Sequence, residues 1–384
     1  METCEVVIIG GGPAGSSCAW SLHQAGLDVV VVDRAVFPRD KVCAGWITPQ
    51  VLDDLRFDPD EYRHGRTFQP ITAFRVGVIG DGDVVDASYD HAVSFGIRRC
   101  EFDDFLLRRS GARLLLGASP TTIRRDGPRW IVNERLCAPM LVGAAGHFCP
   151  VARLLNGAPA RAPLVAAQEM EVPIDPDICR ISGERPELYF CPDLSGYGWC
   201  FRKGDYVNIG FGRLKPHGLP GATAEFLEFL NMRWSTRLAL SAAWHGHAYL
   251  LSASSGRRAV DDGVILAGDA AGLAYPQSGE GIRPAIESGL MAASTIVEAD
   301  GCYSRDRLQP YVTRLQERWG EGGLSRLLSR IVPKSVPAAL GPRLIRTPWF
   351  VRRVVLDRWF LPAQEPALAA ELPRRLPRSV VRLH

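Results

Sequence analysis

One stretch constrains the fold of this chain more than any other: "CEVVIIGGGPAGSSCAWSLHQAGLDVVVVDR", near the N-terminus. An apolar run at 6–9 has the look of a strand buried on both faces, and it stops at Gly10. Gly10, Gly12 and Gly15 give the spacing G-x-G-x-x-G, Gly26 can end the helix that follows, and "DVVVVD" supplies a second strand. Each glycine has a physical task. Gly10 makes the turn, Gly12 lets backbone approach a pyrophosphate held at the helix N-terminus, and Gly15 lets the helix pack close to the sheet. Pro13 and Ala14 complete the phosphate-facing turn, while Asp33 ends the second strand where an adenosine ribose would seek an acceptor, with Arg34 beside it. Strand, turn, helix and acid in this order predict a dinucleotide-binding unit.

A second glycine-rich element bears on which dinucleotide. In "DGVILAGDAAGLAYPQSGEGIRPAIESGLMAA", residues 262–293, a buried strand at 263–267 leads to Gly268-Asp269 and then through Pro276 to Gly279-Glu280-Gly281. A helix opens at Ile282 and carries the small residues Ala285, Gly289 and Ala292. Such a start offers free backbone N–H groups and the positive end of a dipole, a suitable partner for the N1 and C2-carbonyl edge of a reduced flavin. The competing explanation is an ordinary strand, loop and helix with incidental glycines.

At 384 residues the chain exceeds one compact core, so two domains and an appendage are expected. It contains no run of eighteen apolar residues, and its start lacks a basic leader, which predicts a cytoplasmic protein with neither membrane span nor signal peptide. Ten cysteines at scattered spacings, with no Cys-x-x-Cys, suit reduced thiols better than disulfides, and no metal site is expected. His147 stands alone, and His245 and His247 alternate as on a half-exposed strand face, with no further ligands in sight. The net charge of +3 is unevenly spread: residues 325–384 hold twelve Lys/Arg against three Asp/Glu, a local +9 that leaves about −6 on the preceding chain. Within that tail "TPWFVRRVVLDRWFLP" sets aromatic pairs among Arg352, Arg353 and Arg358, as in a helix lying on an anionic membrane surface. A C-terminal helical cap whose arginines face water is the commoner arrangement. Nothing points to nucleic acid.

The remaining feature is "GYGWCFRKGDYVNIGFG", residues 196–212. On a pleated strand Tyr197, Trp199 and Phe201 share one face, with Gly198, Cys200 and Arg202 on the other. Lys203-Gly204-Asp205 reads as the hairpin turn.

The pair GGGPAG and GDAAG…P…GEGI resembles FAD-dependent oxidoreductases of the para-hydroxybenzoate hydroxylase fold, and more narrowly the geranylgeranyl reductase family. "RRCEFDDFL" is similar to that family's R-x-x-F-D-x-x-L, which implies Arg99 by the FAD. "FPRDKVCAGWITP" is similar to its F-P-R-x-K-x-C-G-G segment, implying Lys41, Cys43, Ala44 and Gly45 beside the flavin, with Trp46 following. The aromatic hairpin resembles the family's Y-x-W-x-F-P…G-x-G substrate motif, which makes Trp46, Tyr197, Trp199, Phe201, Gly210 and Gly212 the candidate pocket. The likeness covers most of residues 4–297. It departs at Ala145-Gly146, where the superfamily has Asp-Gly, at Pro120, where a β-branched residue usually approaches adenine, and at Arg202, which replaces the motif's proline.

The resemblance implies a reductase that passes hydride from reduced flavin N5 to a C=C bond of an isoprenoid or polyene, with Cys43, Tyr197 and Trp199 as the candidate catalytic residues. Cys43 could donate the proton or simply leave room by the ring. A monooxygenase acting through a flavin hydroperoxide on an aromatic or alkene is the alternative, with a halogenase or a non-catalytic flavin electron carrier behind it. NADPH, ferredoxin and a quinone pool all remain open as electron donor, the second through a redox partner protein. The expected architecture is α/β: a Rossmann-type FAD-binding domain from 1–60, 91–160 and 256–320, with an inserted, mainly antiparallel substrate domain from 61–90 and 161–255. Residues 321–384 form a C-terminal helical region broken at Pro333, Pro337, Pro342, Pro348 and Pro362. "AFRVGVIG", "LVAAQEMEVPI" and "PELYFCP" are further strand signals.

Overall fold

The computed structural model describes residues 1–157, 164–175, 179–214, 218–234, 243–250, 256–275, 277–320 and 341–368. The chain begins with β1 (Val6–Ile9), α1 (Pro13–Gln24) and β2 (Val29–Asp33), followed by β3 (Ala73–Val78), β4 (Val84–Ser88), α2 (Arg99–Arg109), β5 (Arg113–Leu116) and β6 (Met140–Gly143). The middle contributes β7 (Leu164–Pro173), β8 (Glu187–Phe190), β9 (Gly196–Lys203), β10 (Tyr206–Leu214), α3 (Leu219–Trp234) and β11 (His245–Leu250). Then come β12 (Val260–Asp261), β13 (Val264–Leu266), α4 (Ile282–Glu298), α5 (Arg305–Trp319) and α6 (Val351–Phe360), the last wound in wide π-type turns.

Two large sheets organise the molecule. The first has the order β12-β13-β6-β1-β2-β5, parallel throughout except for the edge strand β12. Strand β1 is buried on both faces, as its unbroken Val-Val-Ile-Ile run requires. Helices α1 and α4 lie together against this sheet, and glycine makes the approach possible: a Cβ on Gly289 would collide with the carbonyl of Ala14, and one on Gly15 with the carbonyl of Gly10.

The second sheet has the order β11-β7-β10-β9-β8-β3-β4 and is antiparallel except for the β8–β3 pair. Its strands include the three segments read from their strand signals. The alternation through β9 sorts side chains between two cores. Trp199 and Phe201 join Phe74, Val76 and Leu188 on one face, and Cys200 joins Ile209, Phe211 and α3's Phe226 on the other. Helix α6 covers the first of these faces with Val351, Val355 and Phe360.

One local expectation is overturned. Strand β9 runs on through Lys203, whose side chain is buried, so the turn consists of Gly204 and Asp205 alone. Strand alternation puts residue 203 on the same face as 201, and ion pairing there outweighs the turn-like appearance of Lys-Gly-Asp. Pro276, Pro333 and Pro337 lie outside the described residues, as do 321–340 and 369–384 of the C-terminal region. Among the described residues no helix is long and apolar enough to cross a membrane, and no group of three His, Cys, Asp or Glu could hold a metal ion.

Candidate functional site

The site forms where the C-terminal ends of β1, β2 and β13 meet the aromatic face of the second sheet. At its first end the glycine turn behaves as its spacing predicts. Gly10 has φ +112° and its space is filled by the backbone of Ala144 and Ala145, so no side chain fits there. Helix α1 has no side-chain cap, which leaves its N-terminal N–H groups for a ligand. Asp33 ties the loop down: one carboxylate oxygen accepts the Gly11 N–H at 2.7 Å and the other the Ala35 N–H at 2.8 Å. Each oxygen keeps a second lone pair for a ribose hydroxyl. Arg34 is exposed next to it, and the segment leading to Pro120 is held beside Asp33, because the Ala118 N–H donates to the Asp33 carbonyl.

One cation, Arg39, reaches the same helix start, and a shared carboxylate ties it to a second, Arg99. Arg99 makes paired 2.9 Å bonds to the fully buried Asp103, and Arg39 reaches the same carboxylate at 3.0 Å. Arg39 escaped the sequence reading. A Cβ added to Gly12 would stand 3.4 Å from its Nη2, and its Nη1 is buried with no partner. An unpartnered guanidinium nitrogen at an uncapped helix N-terminus is the donor set that a pyrophosphate satisfies. The residues therefore fit a dinucleotide.

The second glycine element comes to the same place. Gly268, with φ +60°, backs against Ala14 and Ala285 and donates its N–H to Ser288 Oγ at 2.9 Å. Asp269 lies beside His247, whose ring in turn accepts Lys41 Nζ at 2.9 Å. Burial acts to raise the Asp269 carboxyl, but the His247 contact and the Lys41 and Arg99 charges hold it below the usual carboxylate range. Burial pulls Lys41 down to about 8 and lowers His247 as well. His245, two residues earlier on β11, is exposed. Gly146, also at positive φ, has open space around it, and the neighbouring His147 is buried with an unpartnered Nδ1.

The α4 start differs from expectation. Gly281 brings the loop against Asp269, Gly279 turns the chain before it at φ +70°, and Ile282 is buried as the first helical residue, but the N–H groups are not all free. The side chain of Glu280 folds back to accept the Arg283 N–H at 2.8 Å, because a carboxylate three residues before an uncapped donor is well placed to cap it. Burial pushes this carboxyl up to about 7.

The aromatic residues converge with the 43–46 turn. Tyr197 donates its hydroxyl to the Ser278 carbonyl and so fastens β9 to the second glycine loop. The indole of Trp199 lies across Gly210, where any Cβ would strike it, with Gly212 beyond; this is the physical use of G-x-G in β10. Trp46 packs on Phe201 at 5.7 Å between ring centres and on Phe360 at 6.0 Å, so these rings form one apolar cluster beside α6. Arg202 points the other way, bonding the carbonyls of Ile181 and Gly204.

Behind this cluster lies a polar network absent from the sequence reading. Lys203 Nζ bonds Glu171 at 2.6 Å and the carbonyls of Ala44 and Ile97 at 3.0 Å each. Trp199 Nε1 donates to Asn208 Oδ1 at 2.7 Å, and Asn208 Nδ2 faces Glu169, Glu171 and the Cys43 carbonyl. Burial raises the Cys43 thiol while Arg99 beside it acts to lower it, with burial prevailing. Strand alternation gave the one available signal: residues 169, 171 and 208 fall on the face of Trp199 and Phe201.

Comparison with known proteins bears on the family and the fold. A family model described as FAD dependent oxidoreductase matches residues 5–75. Geranylgeranyl diphosphate reductase of Rhodobacter capsulatus is 30% identical over 309 residues, covering 75% of this chain and 74% of its own. Menaquinone reductase of Mycobacterium tuberculosis is 29% identical over 387 residues, covering 90% and 88%. Among solved structures, a geranylgeranyl bacteriochlorophyll reductase-like protein from Thermoplasma acidophilum gives a TM-score of 0.75 at 18% identity, covering 95% of this chain and 98% of its own. Pseudomonas aeruginosa PqsL, in complex with 2-aminobenzoylacetate, gives 0.66 at 18% identity, covering 91% and 100%. At that identity the structural likeness speaks to the fold alone.

Proposed function

The chain belongs to the geranylgeranyl reductase family of FAD-dependent oxidoreductases, and on that premise we propose that it saturates carbon–carbon double bonds in an isoprenoid substrate. The observation that carries this reading is the aromatic cluster of Tyr197, Trp199, Phe201 and Trp46 set against the Cys43 turn. A prenyl chain offers no polar handles, so its recognition rests on apolar walls worth ~25 cal/mol per Å² buried. The compounds that two relatives are named for, geranylgeranyl diphosphate and menaquinone, have unlike polar heads and share an isoprenoid chain.

Bound FAD supplies the hydride. The chain's own residues hold the cofactor, exclude water and keep a proton at hand. Arg39 and the α1 N-terminus would hold the phosphates, with Arg99 behind them, and the Asp269 loop and the α4 start would hold the isoalloxazine side. Burial keeps the Cys43 thiol protonated at neutral pH, so it is a source for the proton that the second alkene carbon requires, with the Tyr197 hydroxyl as the other.

The test is a single-turnover reaction. FAD-loaded protein, photoreduced without oxygen, is mixed with geranylgeranyl diphosphate, which has no other two-electron acceptor than its double bonds. Flavin reoxidation with a product two hydrogens heavier is the expected result. A product one oxygen heavier, formed only in air, would replace this reading with the monooxygenase.

A further inference from the structure

The network behind Cys43 contains a mismatch of donors and acceptors. Asn208 Nδ2 carries two hydrogens but has three acceptors in range: Glu169 Oε2 at 3.2 Å, Glu171 Oε2 at 3.2 Å and the Cys43 carbonyl at 3.4 Å. Its orientation is fixed, because Trp199 Nε1 donates to the amide oxygen and so identifies the other atom as nitrogen. Glu171 holds its share firmly, being ion-paired to Lys203 at 2.6 Å and to Arg98 at 2.8 Å. Glu169 and the Cys43 carbonyl therefore compete for the remaining hydrogen. The Cys43 N–H also faces the Glu169 carboxylate and favours its ionised form, so both polar groups of the Cys43 residue are influenced from this one place.

We propose that Glu169 is a positioning residue for the Cys43 turn, and that its proton selects between two hydrogen-bond arrangements. Ionised, Glu169 accepts the Cys43 N–H and one hydrogen of Asn208. Protonated, it becomes a donor toward the neighbouring Glu171 carboxylate and releases that hydrogen of Asn208 to the Cys43 carbonyl. The proton comes from solvent and returns to it; no bond to carbon or sulfur changes. The groups facing Glu169 are Glu171 on its own strand, His245 opposite it on β11, Lys203 on β9, and Cys43 with Arg99 across the turn. Burial dominates over the favourable Lys203 charge and places the Glu169 carboxyl at about 7, so both arrangements are populated near neutrality. The selected turn is the one that carries the thiol, and through it the proton inventory of the reductase reading on which this inference rests.

Hydrogen exchange at the Cys43 amide tests the idea without any substrate, so its failure leaves the assigned reaction untouched. FAD-loaded protein is followed by mass spectrometry between pH 6 and 8, with exchange corrected for the intrinsic pH dependence. In the natural protein, protection of the Cys43 amide should rise about tenfold as the carboxylate forms. Glu169→Gln should remove the step, and Glu169→Asp should restore part of it. A simple packing role would change protection equally at every pH. No step in the natural protein, or the same step in Glu169→Gln, overturns the proposal. The measurement on the natural protein decides even if the glutamine variant fails to fold.

Discussion

Arg39 and Lys203 show what a single residue position can and cannot disclose. Arg39 sits in the segment "FPRDK", and its spacing from the glycine turn carries no signal; only the fold brings its unpartnered nitrogen over Gly12. Arg39→Ala should weaken FAD binding about tenfold to a hundredfold, as expected for one lost charge-assisted hydrogen bond, in a titration followed by flavin fluorescence. Asp103 keeps Arg99, so stability should change little. Lys203 is the opposite case, since its position was legible: period-two alternation from Phe201 points it inward, and the turn-like sequence masked this. All three ammonium donors are used, on Glu171, Ala44 and Ile97. Lys203→Met leaves the Ala44 and Ile97 carbonyls without their donor and Glu171 with Arg98 as its remaining cation, and should cost about 1–3 kcal/mol of unfolding free energy in denaturant titration. Glu169 and Asn208 were illegible because their meaning arises from strand register, which the sequence does not state.

At the scale of elements, the sequence disclosed what local periodicity controls. The βαβ unit, the small-residue face of α4 and the two-sided strand β9 all follow from spacing. The cap at the start of α4 does not, because Gly-Glu-Gly reads equally well as an open or a closed helix end. Its consequence is measurable. A carboxyl whose folded pKa lies above its unfolded value contributes stability that is complete below about 4.5 and lost as pH rises through about 7. The flavin-free protein should therefore melt lower at pH 7.5 than at pH 5, by about 2–4 °C for each kcal/mol lost, and Glu280→Gln should remove part of the difference. Glu169, raised to about 7 as well, sustains the rest. Strand β10 offers a second test of an element. Gly210→Ala would drive a methyl group into the Trp199 indole, and should cost about 1–3 kcal/mol in the same denaturant titration, while Gly212→Ala, with 3.5 Å to its nearest neighbour, should cost less.

The whole molecule adds contacts that no local reading contains. Helix α6, some 150 residues beyond β9 in the chain, supplies Phe360 to the aromatic cluster, and the carbonyls of Pro362, Glu365 and Pro366 are held by the buried Arg283 of α4. The inner face of the tail is thus committed to the two sheets. Its outer face is not: Trp349 is 68% exposed, Leu344 is 40% exposed, and Arg353 and Arg358 point outward. Arg352, counted with them in the sequence, is withdrawn over Tyr89 at 3.5 Å. We propose that this face rests on an anionic membrane surface, where a substrate with an isoprenoid chain partitions. Each arginine near such a surface contributes about 1 kcal/mol, and Trp349 adds interfacial apolar area. Co-sedimentation with phosphatidylserine-containing vesicles should occur at low salt, fall as salt shortens the screening length, and largely disappear in Trp349→Ser combined with Arg353→Glu and Arg358→Glu. Neutral vesicles should bind weakly. If the natural protein stays in the supernatant with anionic vesicles at low salt, the outer arginines serve only to keep a C-terminal cap in water, and the substrate must reach the aromatic cluster from solution.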